Sequence, residues 1–152
     1  MENQTNNMDK KERPVAISRR QLIGETPMVV NEIADGCLYS GFFGTLDSAR
    51  IKKVIDVILK HVEQSDHDIL IADLSNVDII DSAIAGQLIR LNKLLLLVGM
   101  EVIFCGIKPV VAQSMISAGV DLKNMKVVKN LKRALGLVYQ KQGLALVPIR
   151  EG

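Results

Sequence analysis

The stretch "DLSNVDIIDSAIA", residues 73–85, places Asp73, Asp78 and Asp81 within nine positions, interleaved with two serines, Ser75 and Ser82. Grouped carboxylates are oxygen donors of the kind that hold magnesium, so a metal-assisted phosphoryl-transfer site is one reading. A serine beside a helix start is also a hydroxyl that another protein can phosphorylate, which adds about −1.5 to −2 charges at neutral pH. The third reading is ordinary helix chemistry. Ser82 directly precedes an apolar stripe of helical spacing, making it a natural N-cap with its hydroxyl turned to the free N–H groups of the first turn. Acids near a helix start are likewise favoured by the dipole.

The flanking elements position these residues. "DILIADL", residues 68–74, is a continuous apolar run, which suits a strand covered on both faces. "SAIAGQLIRLNKLLLLVG" follows as a helix with Ile84, Leu88, Leu91 and Leu95 in one stripe and Gly99 as its stop. The loop between them therefore lies at the carboxyl end of a strand, where open α/β sheets meet ligands and partners. The other strand ends offer "CGIKP", with Lys108, and "VVKN", with Lys129, but no second acid cluster to complete a metal site. A phosphate on Ser82 would sit beside Asp78 and Asp81, its cost partly relieved by the helix N-terminus. A partner docked on the unmodified loop would meet new bulk and charge.

Before the loop, "MVVNEIA" and "CLYSGFFG" are short apolar runs split by Asp35-Gly36, which predicts an antiparallel hairpin. "TLDSARIKKVIDVILKHVEQ" then carries Ile51, Val54, Ile55, Ile58, Leu59 and Val62 at helical spacing, with Lys52, Lys53 and Lys60 facing water. After the loop, "EVIFCG" is a buried strand. "KPVVAQSMISAG" is a helix with Pro109 near its first position and Gly119 at its end. "MKVVK" is a short strand, and "NLKRALGLVYQKQ" a last helix that Asn130 caps. The expected fold is α/β: one domain at 28–141, an antiparallel pair followed by alternating strands and helices, and a mixed sheet covered by about four helices. Residues 1–27 are polar and read as a flexible extension in which "AISRRQLIG" is a candidate short helix. Residues 142–152 either pack as an extra segment or stay loose.

Composition removes several classes. Of 152 residues, 48% are hydrophobic and only 3% aromatic, so the core must be aliphatic. The formal charge of +2 has no basic block behind it, and stacking platforms for single strands are missing, so no nucleic-acid partner is expected. No apolar run approaches a membrane span, and the N-terminus lacks the apolar core of a signal peptide, which predicts a soluble, cytoplasmic protein without a membrane partner. Cys37 and Cys105 lie far apart in apolar strands and read as buried, reduced thiols. His61 and His67 read as surface residues, without metal-ligand spacing. With no phosphate-binding glycine loop, dinucleotide fingerprint or nucleophile elbow, neither a cofactor nor a resident metal is expected.

Two segments carry a resemblance. "DLSNVDIIDSAIAGQLI" resembles the signature of STAS domains, the family of anti-sigma factor antagonists, and "GMEVIFCGIKPVVAQSMISAGVDL" resembles the segment that follows it in stressosome scaffold proteins. The resemblance spans about residues 28–141. It implies a binding protein without catalysis, in which Ser82 occupies the phosphoacceptor position after Asp81, and Ser75 matches a second phosphoacceptor of the sensor-bearing scaffold paralogues. With about 27 residues ahead of the domain, the chain is similar to the small scaffold type, which lacks a sensor domain. The implied partners are a serine-protein kinase of the switch or anti-sigma type and STAS paralogues in a homo- or hetero-oligomer. Asn76, Asp78, Asp81 and Ile84 are the expected partner-binding residues, from adjacency. The resemblance leaves two binding roles open: a stressosome scaffold that sequesters a kinase, and a direct antagonist that binds an anti-sigma kinase and frees a sigma factor. The magnesium enzyme built on Asp73, Asp78 and Asp81 is the alternative of another class.

Overall fold

A computed structural model describes residues 28–150 apart from Thr45, Ser65 and Val120; the readings made for residues 1–27 lie outside the described residues. Five strands form one sheet in the order β1-β2-β3-β4-β5: β1 (Met28–Ala34), β2 (Cys37–Gly44), β3 (Ile69–Val77), β4 (Glu101–Cys105) and β5 (Lys126–Val128). The first pair is antiparallel and the remaining pairs are parallel. Among the described residues four helices, α1 (Ser48–Gln64), α2 (Ser82–Leu97), α3 (Pro109–Ser117) and α4 (Leu131–Lys141), alternate with the strands after the hairpin.

The hairpin turns at Asp35-Gly36, where only Gly36 takes a positive φ, of 68°. α1, α2 and α3, which connect neighbouring parallel strands, pack on one face of the sheet, as crossovers of one hand require, and α4, which follows the last strand, packs on the other. The alternation within β3 shows the division: Leu70, Ala72 and Leu74 join Ile51, Ile84 and Met115 in the larger core, whereas Ile69 and Ile71 join Ala134 and Val138 in the smaller one. The stripe Ile84, Leu88, Leu91 and Leu95 is fully buried, as its spacing demands. Each such side chain contributes about 1.5–3 kcal/mol by leaving water.

Helix α2 ends in a Schellman motif. Gly99, at φ 85°, donates to Leu96 O, while Met100 N donates to Leu95 O at 2.8 Å and its side chain is buried against the core. Asn92, on the same helix, is buried and donates to Asn124 O at 3.1 Å, which fastens α2 to the loop before β5. Cys37 and Cys105 are buried free thiols, both pushed up, to about 11 and about 12, chiefly by desolvation.

Two expectations need correction. β3 runs three residues beyond the apolar stretch, because β2 continues to offer a ladder: Asn76 pairs with Phe43 and Val77 with Gly44, past a register shift between Gly41 and Phe43. The histidines are not simple surface residues. The ring of His67 lies mostly covered, 2.7 Å from Glu32 Oε2, and His61 Nδ1 lies 2.9 Å from Val57 O.

Candidate functional site

The loop 78–81 and its two flanking elements form the candidate site, at the carboxyl end of β3. The acids of the cluster do three different things. Asp73, the last acid inside the strand, is 7% exposed. Its Oδ2 accepts from the Tyr39 hydroxyl at 2.8 Å and its Oδ1 accepts from Ser75 N at 2.9 Å. Burial and this carboxylate neighbour push the Tyr39 phenol up to about 12. Asp73 thus fixes the backbone at Ser75, where β3 runs on past its last pairing with β4.

The approach of β4 to this corner requires glycine. Gly106 has φ 71°, and a Cβ there would lie 2.8 Å from Asp73 Oδ1 and 2.8 Å from Ser75 Cβ. It follows that the exits of β3 and β4 are packed backbone against side chain, with Gly106 N donating to Lys129 O of the next strand end at 3.2 Å.

Asp78 faces solvent and accepts from Lys108 Nζ at 2.7 Å, which ties the loop after β3 to the loop after β4. Asp81 caps α2: its backbone is extended, at φ −95° and ψ 178°, and its Oδ1 accepts from Ile84 N at 2.8 Å. Ser82 was the expected cap. Aspartate and serine are nearly equal in this role, and the chain enters the helix one residue earlier, so Ser82 occupies the first helical position. Its side chain is exposed, and its hydroxyl is not consumed by the cap.

The structure therefore does not gather the acids into one ligand set, and among the described residues no group of three or more His, Cys, Asp or Glu side chains is placed to hold a metal ion. Of the residues expected to meet a partner, Asn76, Asp78 and Asp81 lie at the surface, and so does Ser75. Ile84 does not: it is 0% exposed, a member of the core stripe. The apolar surface residue of this loop is Ile79, at 64% exposed, with Val110 at 55% two positions beyond Lys108. The sequence held a signal for Ile79, because "DII" must turn only one of its isoleucines into the core, and Ile80 is the buried one. Tyr39 and Gly106 carried no local signal, since their partners lie on other strands.

The STAS domain family model matches residues 28–134. The chain belongs to the STAS domain family. Its relatives include the RsbT co-antagonist protein RsbRD of Bacillus subtilis, 28% identical over 118 residues, which are 78% of this chain and 42% of that protein. The chain thus spans less than half of that relative's length. Among solved structures it is similar to RsbS of Moorella thermoacetica carrying a serine-to-glutamate substitution, with TM-score 0.67, 23% identity and coverage of 77% of this chain and 98% of that one. A chain from a structure titled as the molecular architecture of the stressosome, a signal integration and transduction hub, gives TM-score 0.60 at 22% identity over 75% of this chain and 98% of that one. These structural likenesses show the fold, an α/β STAS domain with a five-stranded mixed sheet. Among the described residues no helix is long and apolar enough to cross a membrane.

Proposed function

We propose that this chain is a phosphorylatable scaffold of a stress-signalling partner switch, acting by binding rather than catalysis. Unmodified, the surface around loop 78–81 holds a serine-kinase partner; phosphorylation of Ser82 releases it. The observation that carries this reading is the free, exposed hydroxyl of Ser82 at the first position of α2, beside a cap already supplied by Asp81. A phosphate here gains from the free N–H groups and dipole of the helix start, so the domain tolerates it. Asp78, Asp81 and the phosphate then share one small surface, and a partner matched to the neutral serine meets about two further negative charges there. Release thus requires no unfolding.

Asn76, Asp78 and Asp81 contribute polar contacts, Ile79 and Val110 the apolar ones, and Ser75, exposed beside Gly106, is a second candidate phosphoacceptor. The relatives named for RsbT co-antagonism and for the stressosome favour assembly with STAS paralogues in the cytoplasm over direct release of a sigma factor. Incubation with a switch-type serine kinase and ATP, followed by intact-mass and peptide mapping, tests the reading. One phosphate on Ser82 supports it, and an unmodified Ser82 contradicts it.

A further inference from the structure

At the edge of the sheet, beside β5, lies an apolar groove of about 500 Å3 lined by Ile107, Met115, Ile116, Leu122, Met125 and Val127, together with Lys129. Among the described residues β5, three residues long, pairs only with β4, which leaves its outer backbone groups without a strand partner there. The same chain presents an apolar segment that is exposed among the described residues. Gly143 ends α4 with φ 74°, Leu144 N donates to Tyr139 O at 2.8 Å, and beyond this stop Leu144, Leu146, Val147 and Ile149 are 57% to 94% exposed. Among the described residues, one molecule therefore carries both an apolar groove beside an unpaired strand edge and an exposed, apolar, strand-compatible segment.

We propose that residues 144–149 of one copy dock in the β5 groove of a second copy, extending its sheet, and that the exchange is reciprocal. The groove opens on the face shared with α3, whereas α4 packs on the opposite face. Gln142 Nε2 donates to Asp35 O in the β1–β2 turn, so the segment departs from the β2 end of the sheet. That point lies three strand steps from β5, about 14 Å at about 4.8 Å per step. Six extended residues reach at most about 20 Å, too little to cross the sheet to the other face and still lie along β5. A second copy has no such constraint. Pro148, which lacks an N–H, is compatible with an outermost strand.

This interface is separate from the Ser82 loop and does not rest on the switch reading. Analytical ultracentrifugation of the full chain tests it, with Leu146→Asp to disable the segment and Ile116→Asp to disable the groove; both positions are exposed, and circular dichroism verifies folding. The expected result is a concentration-dependent dimer for the parent chain and loss of dimer to the 16.7 kDa monomer for each variant. An equimolar mixture of the two variants, which retains one intact segment and one intact groove, regains a weaker dimer. A parent chain that stays monomeric at all concentrations, an assembly that survives both variants, or a mixture that stays monomeric overturns the proposal. Kinase binding measured on the same variants separates this outcome from failure of the switch.

Discussion

Lys108 Nζ lies 2.7 Å from Asp78 Oδ1, and this single contact joins two loops whose residues are 30 positions apart in the chain. It lies within the surface on which the proposed switch operates, with exposed Ile79 next to Asp78 in the chain and exposed Val110 two positions after Lys108. Both side chains of the pair are well exposed, so the pair stabilises the fold by at most about 1 kcal/mol. Its expected role is to hold the loop's shape and to balance one of its charges. Lys108→Ala should leave the urea midpoint almost unchanged while weakening kinase binding. Equal losses in stability and binding would place the pair in the scaffold alone.

The cap assignment makes a second prediction. Asp81→Ala should cost about 1 kcal/mol, because Ile84 N loses its acceptor. Asp81→Asn or Asp81→Ser should recover most of this. Ser82→Ala should stay within about 0.5 kcal/mol of the parent, as an exposed position without a structural bond does. Urea denaturation of the four variants distinguishes this order from the reverse, in which Ser82 is the cap.

Gly106 is the third test. Any Cβ meets Asp73 and Ser75, and φ 71° adds a strain of about 1–2 kcal/mol for a non-glycine residue. Gly106→Ala should therefore destabilise the domain by more than that backbone term, and hydrogen exchange at Ser75 N should accelerate. Protection unchanged from the parent would show that the corner yields easily.

Tyr39 supplies a pH dependence. Its folded-state phenol is raised to about 12 from 10.0, by burial and then by its bond to Asp73, so the native state favours the protonated form. The associated stability is complete below pH 10 and declines as pH rises from 10 through about 12. Chemical denaturation across this range should show the decline, and Tyr39→Phe should flatten that part of it. The same variant should lose about 1.5–3 kcal/mol at neutral pH, the worth of a hydrogen bond to a charged group.

The elements were legible because their periods are strong. The stripe Ile84, Leu88, Leu91 and Leu95 repeats at helical spacing and proved fully buried. The two hairpin strands carry the bounds expected from their apolar runs and the Asp-Gly turn. The errors arose where local rules are degenerate or where the partner is remote. Asp81 and Ser82 are adjacent and nearly equal as caps, so sequence did not separate them. Ile84 follows the loop in sequence but turns inward with its helix, whereas Ile79 turns outward. The end of β3 was missed because Ser75 and Asn76 are polar, and their strand conformation depends on the ladder to β2. The acid cluster looked like one feature because its members are close in the chain. Their partners are distant, Tyr39 for Asp73 and Lys108 for Asp78, and each draws its carboxylate to a different task.

The central claim is that one hydroxyl, on Ser82, controls a binding surface. The most direct measurement is the affinity of a switch-type serine kinase for the unmodified chain, for the Ser82-phosphorylated chain and for Ser82→Asp, by calorimetry at fixed ionic strength. Binding to the unmodified chain, with at least about tenfold loss (about 1.4 kcal/mol) on phosphorylation, an intermediate loss for Ser82→Asp and an unchanged melting temperature throughout, is the predicted result. Equal affinity for the phosphorylated and unmodified chains would contradict it and leave Ser82 as the solvent-facing first residue of a well-capped helix.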